Sequence, residues 1–523
     1  MTGNPLLVNV TQTADIRGVG IGSRSQGGTP QINRNLTKIV GIVGAFQWGA
    51  EGLVSSPSGG YDFTNGKQIM ETLFPFAPDD CYNELADLPL GKVRFYNVRG
   101  SDATLGTVTL DDASSADSLV VTARYASVYT DKIKITVTAN ATTSTSRDVK
   151  VDVYAPDGTT VMVTNTYAAV QVADGTVTDP SDPYVTFAKK SGATTQAAVQ
   201  ANVALTAGSL GTLSAARYGL GLTAFSTLTG PDIIVPIGVA AATCDALNEL
   251  VQTAADSDGG YGKTFIPATE IGLVKADALA AAALIRSRAI RYPWPETVRS
   301  VSYALRGYST GPTNVTTAPG AAIACAIQNV DPWTPAAMRY AERSFRRVVS
   351  LPSTAPASQS DVADLLEGGV MVISGTTNYG FVPHKEVCTG IDTDTSLPYD
   401  GSTVRYVDQV KADLSSALES DLLTPLDLNL STGDLGPNTR GIVAKIVAYF
   451  EREKREGHIV ASINTTDGSA SPAYTVDPFG SATPQDIGNG LWSIDIAFRK
   501  TANADFILLN YRHGTFINIQ KNG

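Results

Sequence analysis

The chain has 523 residues, a formal net charge of −11, 43% hydrophobic residues and 17% charged residues. This composition excludes an intrinsically disordered chain, and the length predicts about three or four domains. The acidic balance disfavours direct nucleic-acid binding, which requires clustered Lys and Arg, and we expect neither a signal peptide nor a membrane-inserted segment.

The first 30 residues are predicted to form an N-terminal arm. A strand is predicted near its start, at Leu6, Leu7, Val8, Asn9 and Val10. The Gly- and Ser-rich residues 17–30 follow as a flexible tether. A strand on a tether is what pairing with a neighbouring chain requires, and a frayed terminus is the alternative.

Residues 31–100 and 211–389 are predicted to form a mixed α/β core, because helical and strand patterns alternate along them. Strands are predicted at residues 38–46, 92–99, 231–239, 263–267, 298–305 and 369–373. Helices are predicted at residues 66–74, 243–254 and 277–290, the last two capped by Thr243 and Asp277. This α/β core is interrupted by residues of a different composition.

Residues 101–210 are rich in Thr, Val, Ala and Asp and contain neither Trp nor Cys. Strands are predicted at residues 118–121, 132–139, 149–154 and 160–164, with a hairpin turn at Asp157-Gly158. We interpret this segment as an inserted β-rich domain. Because insertions occupy surfaces, it is expected to lie on the exterior.

Residues 390–508 are predicted to form a C-terminal domain with two amphipathic helices, at residues 406–424 and 439–456. The second helix ends in a run of charged residues that precedes the helix-stopping Gly457. This charge run consists of Glu451, Arg452, Glu453, Lys454, Arg455 and Glu456. Strands are predicted at residues 491–498, 505–511 and 516–519, and residues 509–523 form a C-terminal arm.

No catalytic, cofactor or metal site is predicted, so we expect a non-enzymatic protein. The segment from Gly60 to Lys67 has the wrong glycine spacing for a phosphate loop, and the acidic stretch from Asp392 has no closing glutamate for calcium. The three histidines are far apart and are interpreted as surface or interface residues. The four cysteines form no CxxC pair and are interpreted as reduced and partly buried thiols, with inter-subunit disulfides as the alternative.

The residues 486–511, DIGNGLWSIDIAFRKTANADFILLNY, resemble the end of the contractile tail sheath family of phages and related injection particles. The family's turn, alternating strand and acidic-Phe-Ile strand correspond here to Asn489-Gly490, Leu491–Phe498 and Asp505–Ile507. The family often has two prolines in the intervening break, where this chain has Lys500 and Asn503. Residues 38–52, 66–75 and 93–100, and the motifs at 318–320 and 331–336, are also similar to the family, so the resemblance covers roughly residues 36–100 and 230–520.

The resemblance implies a structural subunit that forms stacked hexameric rings around a tail tube in a virion tail, assembled in the bacterial cytoplasm. It implies a sheath-type α/β (α+β) multidomain fold with extended arms, and the tube, baseplate and tail terminator proteins as partners. It assigns inter-subunit strand exchange to the N-terminal strand and to Phe506, Ile507, Leu508, Leu509, Phe516, Ile517 and Ile519. It also places the C-terminal domain toward the tube, with the charge run as a tube contact; a solvated helix end is the alternative for that run. Another virion or surface-layer structural protein remains the alternative function.

Overall fold

The computed structural model describes residues 38–501 with internal gaps. The gaps are residues 65–68, 70–71, 74–90, 156–157, 228–229, 258–261, 301–313, 338–344, 346, 357, 377–379, 394, 422–426, 430–432, 464–469, 481–482 and 484–491. The chain divides into two compact units. The larger comprises Thr37–Asp331 and Pro335–Val404, and the smaller comprises Pro332–Thr334 together with the described residues from Arg405 onward.

The described strands of the larger unit are β1 (Ile39–Gly44), β2 (Gly52–Leu53), β3 (Lys92–Asn97), β4 (Thr107–Asp111), β5 (Asp117–Ala123), β6 (Ile133–Ala139), β7 (Ser146–Tyr154), β8 (Val161–Val172), β9 (Val185–Lys189), β10 (Gln200–Ala204), β11 (Ile233–Ile237), β12 (Thr264–Phe265), β13 (Tyr292–Trp294), β14 (Thr297–Ser300), β15 (Asn314–Thr317), β16 (Val348–Ser350), β17 (Val370–Thr376), β18 (Gly380–Pro383), β19 (Val387–Ile391) and β20 (Pro398–Asp400). Those of the smaller unit are β21 (Leu428–Asn429), β22 (Asp434–Leu435), β23 (Ser462–Ile463), β24 (Ala470–Ser471), β25 (Tyr474–Asp477) and β26 (Asp495–Phe498). The described α-helices are α1 (Ala215–Phe225), α2 (Ala241–Ser257), α3 (Lys275–Leu284), α4 (Gly320–Gln328), α5 (Gln359–Glu367), α6 (Gly401–Leu418) and α7 (Pro437–Arg455).

A five-stranded sheet in the order β12-β11-β1-β3-β2 forms the centre of the larger unit. Its first four strands are parallel, and β2 pairs antiparallel to β3. Val43 and Ile234 face a core formed with α1, α2 and α3, whereas Ile42 faces the opposite core, which includes α4. Because both faces are covered, β1 and β11 are continuous apolar runs rather than alternating ones.

Gly41 in β1 allows the chain leading into β11 to approach closely. A Cβ atom at this position would lie 2.6 Å from Cγ of Pro231 and 2.8 Å from Cδ2 of Phe225.

Residues 107–204 form a β-sandwich, as the Thr- and Val-rich composition predicts. The sheets β4-β5-β9 and β10-β6-β7-β8 are antiparallel and share one hydrophobic core. The chain enters and leaves the sandwich side by side, since Gly100 N donates to Leu210 O at 2.8 Å and the Asp102 carboxylate accepts hydrogen bonds from Thr212. The position of this sandwich on the exterior of an assembly remains a prediction.

Trp48, from the segment between β1 and β2, belongs to the sandwich core although it lies far outside the insertion in sequence. Its ring packs edge-on against Tyr125 with centroids 5.1 Å apart and contacts Tyr184 at 5.7 Å. The neighbouring Gln47 side chain accepts hydrogen bonds from Ser127 Oγ and Val128 N. The segment after β1 therefore anchors the insertion to the central sheet.

The smaller unit has its own core, formed by α6, α7, β25 and β26. Tyr406 and Val410 of α6 pack with Ile446 and Phe450 of α7, and Phe498 of β26 covers them. The apolar stripe predicted for the second C-terminal helix, which is α7, is confirmed by the burial of Ile442, Ile446, Val447 and Phe450.

Several predicted boundaries are wrong for identifiable reasons. Helix α3 ends at Leu284 rather than residue 290, because the chain then turns and Ile290 bridges to β12: Phe265 N donates to Ala289 O, and Arg291 N donates to Phe265 O. The predicted caps are also wrong. Asp277 lies in the first turn of α3 after Val274 at the cap position, and Thr243 lies inside α2, which begins at Ala241.

Helix α6 begins at Gly401, five positions before the predicted start. Within the predicted strand 491–498, the described residues are in strand conformation only from Asp495. The predicted helix 66–74 lies mostly outside the described residues, although the described Ile69, Thr72 and Leu73 are helical.

Candidate functional site: the C-terminal end of helix α7

Helix α7 carries the charge run, and both of its ends are fixed by specific contacts. At the N-terminus, Pro437 occupies the first turn and the Asp427 carboxylate accepts hydrogen bonds from Asn438 N at 2.9 Å and Thr439 N at 2.8 Å. Burial by itself would raise the pKa of Asp427, but the hydrogen bonds from Thr439 and Asn438 hold it below its ordinary value. At the C-terminus, Gly457 adopts a φ of +82° and ends the helix as predicted.

The six residues of the charge run differ sharply in exposure. Glu453 is fully buried, with 0% of the residue accessible. Glu451 and Arg452 are partly buried, and Lys454, Arg455 and Glu456 are exposed. Glu451 accepts a hydrogen bond from Tyr474 Oη at 2.7 Å, and Arg452 lies over the Tyr449 ring at 5.0 Å. The last three residues of the charge run are therefore its exposed part, although Lys454 Nζ lies 3.9 Å from Glu451 and Glu456 lies 3.7 Å from His458 Nδ1.

The buried Glu453 is the centre of a side-chain network. Its Oε2 atom accepts a hydrogen bond from Tyr406 Oη at 2.9 Å and lies 3.0 Å from His458 Nδ1. The His458 imidazole stacks on the Trp333 indole with ring centroids 3.9 Å apart. The two donors compensate the cost of burying the carboxylate, and the stacking fixes the orientation of the imidazole.

This network bears on two sequence interpretations. The His458 side chain is 11% exposed and stacks on Trp333, so it is not a freely exposed surface residue, and its role at an interface stays a prediction. Glu453 makes its described contacts inside its own unit, so burial leaves it poorly placed to touch another chain. Sequence reasoning missed Trp333 and Tyr406 as its companions, because they lie far from the charge run along the chain. One signal was available: Glu453 lies seven positions after Ile446 and three after Phe450, on the buried stripe of the helix.

The remaining candidate residues fall into two groups. The residues assigned to strand exchange, Leu6–Val10 and Phe506–Ile519, lie outside the described residues, so strand exchange stays a prediction. Cys244, Cys325 and Cys388 are free thiols within the chain and are fully buried rather than partly buried, whereas Cys81 lies outside the described residues. Burial raises the pKa of the Cys325 and Cys388 thiols to about 12, which makes them poor nucleophiles.

A cavity of about 210 Å³ lies at the carboxyl edge of the central sheet, where open α/β sheets often bind ligands. Its described lining includes the residues from Pro236 to Ala240 and the hydroxyl-bearing Thr269, Thr316 and Thr317, and contains no acid, base or thiol.

Among the described helices, none combines the length and the apolarity needed to cross a membrane.

Comparison with known proteins gives matches in structure but not in sequence. No family model and no curated protein matches the chain. The structure is similar to that of the sheath tail protein from Desulfitobacterium hafniense, with a TM-score of 0.59 and 13% identity over 86% of this chain and 92% of that one. It is also similar to the sheath tail protein from Listeria innocua, with a TM-score of 0.52 and 14% identity over 90% and 92% of the two chains.

A third similar structure is the helical sheath of the anti-feeding prophage in its contracted state. The TM-score is 0.52, with 12% identity over 93% of this chain and 96% of that one. All three matches span nearly the full length of both partners, so the predicted sheath-type α/β fold is confirmed. The chain has the fold of contractile tail sheath proteins.

Proposed function

We propose that the chain is a structural, non-enzymatic subunit of a contractile tail sheath. The observation that carries this proposal is the fold match with sheath proteins along almost the entire chain. The absence of acids, bases and thiols from the described lining of the sheet-edge cavity also favours a structural over a catalytic role. A surface-layer or other virion structural protein is the alternative.

In this proposal, six copies form a ring and the rings stack helically around an inner tube. Contacts that do not close along the stacking direction generate such open filaments. Contraction is a rigid-body change between two packings of the subunits, in which the extended packing is metastable. The partners are further copies of the chain, a tube protein, and baseplate and terminator proteins at the two ends.

Strand exchange through the chain ends is the proposed link between copies. An arm that adds four to six backbone hydrogen bonds to a neighbour contributes about 0.5–1.5 kcal/mol per bond before the cost of ordering it. One such link is weak, but many repeated in a lattice are hard to dissolve. The Gly- and Ser-rich residues 17–30 would let subunits rotate while the arm stays docked.

The proposed tube contact is the exposed part of the charge run, Lys454, Arg455 and Glu456. Exposed ion pairs contribute about 0–1 kcal/mol each. Such weak contacts suit a tube interface that must dissociate during contraction. The burial of Glu453 and the Glu451–Tyr474 hydrogen bond favour a role for these two residues within the subunit instead.

The proposed location is the tail of a phage or of a headless injection particle, assembled in the bacterial cytoplasm. Electron microscopy of the purified full chain tests the proposed function. We expect hollow tubes with six-fold rotational symmetry. A protein that remains monomeric at every concentration and salt condition that favours assembly contradicts the proposal. Flat two-dimensional lattices favour the surface-layer alternative.

A further inference from the structure

The sequence gives no sign of a metal site, but the C-terminal end of α7 brings three metal-binding side chains together. Glu453, Glu456 and His458 each offer one ligand atom, and these atoms all lie within 4.8 Å of one another. The Nδ1 atom of His458 is 3.0 Å from Oε2 of Glu453 and 3.7 Å from Oε2 of Glu456. These distances can be compared with those that a metal ion would require.

A tetrahedral Zn²⁺ ion with bonds of about 2.0–2.1 Å separates its ligand atoms by about 3.3–3.5 Å. The two distances from His458 bracket that value. Glu453 is held in place by burial, whereas Glu456 is 39% exposed at its side chain and can adjust by rotation. Closing the site therefore requires movement mainly of the exposed glutamate, and a water molecule can complete the coordination.

The surroundings also fit a metal ligand set. The Tyr406 hydroxyl donates to Oε2 of Glu453, and Arg452 Nη2 lies 3.6 Å from the other oxygen, Oε1. Stacking on Trp333 holds the His458 ring in its plane. Such outer contacts orient the ligands of natural metal sites. Two carboxylates and one neutral imidazole supply two negative charges for a divalent cation, and the neighbouring Arg452 guanidinium offsets part of them.

We propose that Glu453, Glu456 and His458 form a binding site for a borderline-soft divalent cation of the Zn²⁺ class. Binding forms three metal–ligand bonds in place of the hydrogen bond between His458 Nδ1 and Glu453. The ring proton exchanges through solvent from Nδ1 to Nε2, so His458 binds as a neutral ligand and no electrons are transferred. A histidine nitrogen and a small coordination number favour Zn²⁺ or Co²⁺ over Mg²⁺ and Ca²⁺, which prefer six or more oxygen ligands. The bound ion would crosslink the last turn of α7 to the residues that follow it.

Titration calorimetry of the full chain with ZnCl₂ tests this proposal. We expect saturable binding of one ion at this site and at least tenfold weaker binding in the Glu456→Gln and His458→Gln variants. The exposed Glu419→Gln variant of the same unit loses the same charge and should bind as the parent does. Circular dichroism establishes that each variant is folded.

Two optical measurements locate the ion independently of the variants. Bound Co²⁺ should give the intense visible absorption of tetrahedral coordination, and Cu²⁺ should quench the fluorescence of Trp333 because its indole stacks on the liganding imidazole. The quenching should be lost in Trp333→Phe. The proposal is overturned if the parent protein shows no saturable Zn²⁺ binding, or if folded Glu456→Gln and His458→Gln variants bind with unchanged affinity. Neither result bears on sheath assembly.

Discussion

Replacing Trp48 with alanine should loosen the β-sandwich from the central sheet. Trp48 is only 5% exposed and packs against Tyr125 and Tyr184. A buried tryptophan removes about 150–250 Å² from water, which corresponds to about 4–6 kcal/mol at about 25 cal/mol per Å². Truncations of this kind cost about 3–5 kcal/mol in other proteins. We therefore expect a destabilisation of about 3–5 kcal/mol.

Urea unfolding followed by circular dichroism measures this effect. With a slope of about 1–3 kcal/mol per M, the midpoint of the affected transition should fall by about 1–5 M. Limited proteolysis should show faster cleavage near residues 100–105, while the sandwich fragment stays intact because the rest of its core is unchanged. Trp48→Phe keeps an aromatic ring and should cost less. A Trp48→Ala midpoint within error of the parent refutes the anchoring role.

Three further predictions concern α7 and the central sheet. Asp427→Ala should cost about 0.5–2 kcal/mol because it removes the N-terminal cap of α7. Since the pKa of Asp427 is lowered in the folded state, its contribution is present above the unfolded-state pKa and disappears as pH falls through the folded-state pKa, so the deficit should shrink in acid. Gly41→Ala should cost about 1–3 kcal/mol through overpacking. Reversing Lys454 and Arg455 to glutamate should weaken assembly on tubes, measured by co-sedimentation, without lowering the unfolding midpoint.

Matched variants distinguish these effects from general damage. Gly441 lies within α7 with open space around its Cα, so Gly441→Ala should raise stability by about 0.5–1 kcal/mol, opposite in sign to Gly41→Ala. Reversal of Lys189 and Lys190 in the sandwich changes the same amount of charge and should leave tube assembly unchanged. Equal stability losses at the two glycines, or equal assembly losses for the two charge reversals, contradict the respective predictions.

Sequence patterns predict local structure best where a single requirement, such as burial of one face of a strand, determines which residue types fit. The alternation in residues 92–97 predicts the burial of Val93, Phe95 and Asn97 in β3, and Gly457 ends α7 because the left-handed conformation there favours glycine. Local pattern fails where tertiary pairing competes with propensity. The residues after Leu284 continue a helical composition, but the chain turns there and its backbone pairs with β12 at Ile290.

Only part of the candidate site could be predicted from the sequence. The composition predicts that the charge run ends a helix. It does not distinguish the six residues from one another, because alternating charges predict that all of them are exposed to solvent. The structure separates it into exposed residues and the buried Glu453, which is compensated by Tyr406 and His458. Such compensation depends on residues far apart in the chain, and local sequence patterns do not reveal which of them meet. Trp48 illustrates the same limit, since nothing in its local sequence indicates that it completes the core of a later segment.

Helical reconstruction of the polymer formed by the purified chain tests the central claim most directly. The account predicts a hollow six-fold helical tube in which residues 6–10 or 506–519 of each copy form a strand in the sheet of a neighbour. A reconstruction in which both segments fold back onto their own subunit contradicts strand exchange. A preparation that yields no helical polymer contradicts the sheath function itself.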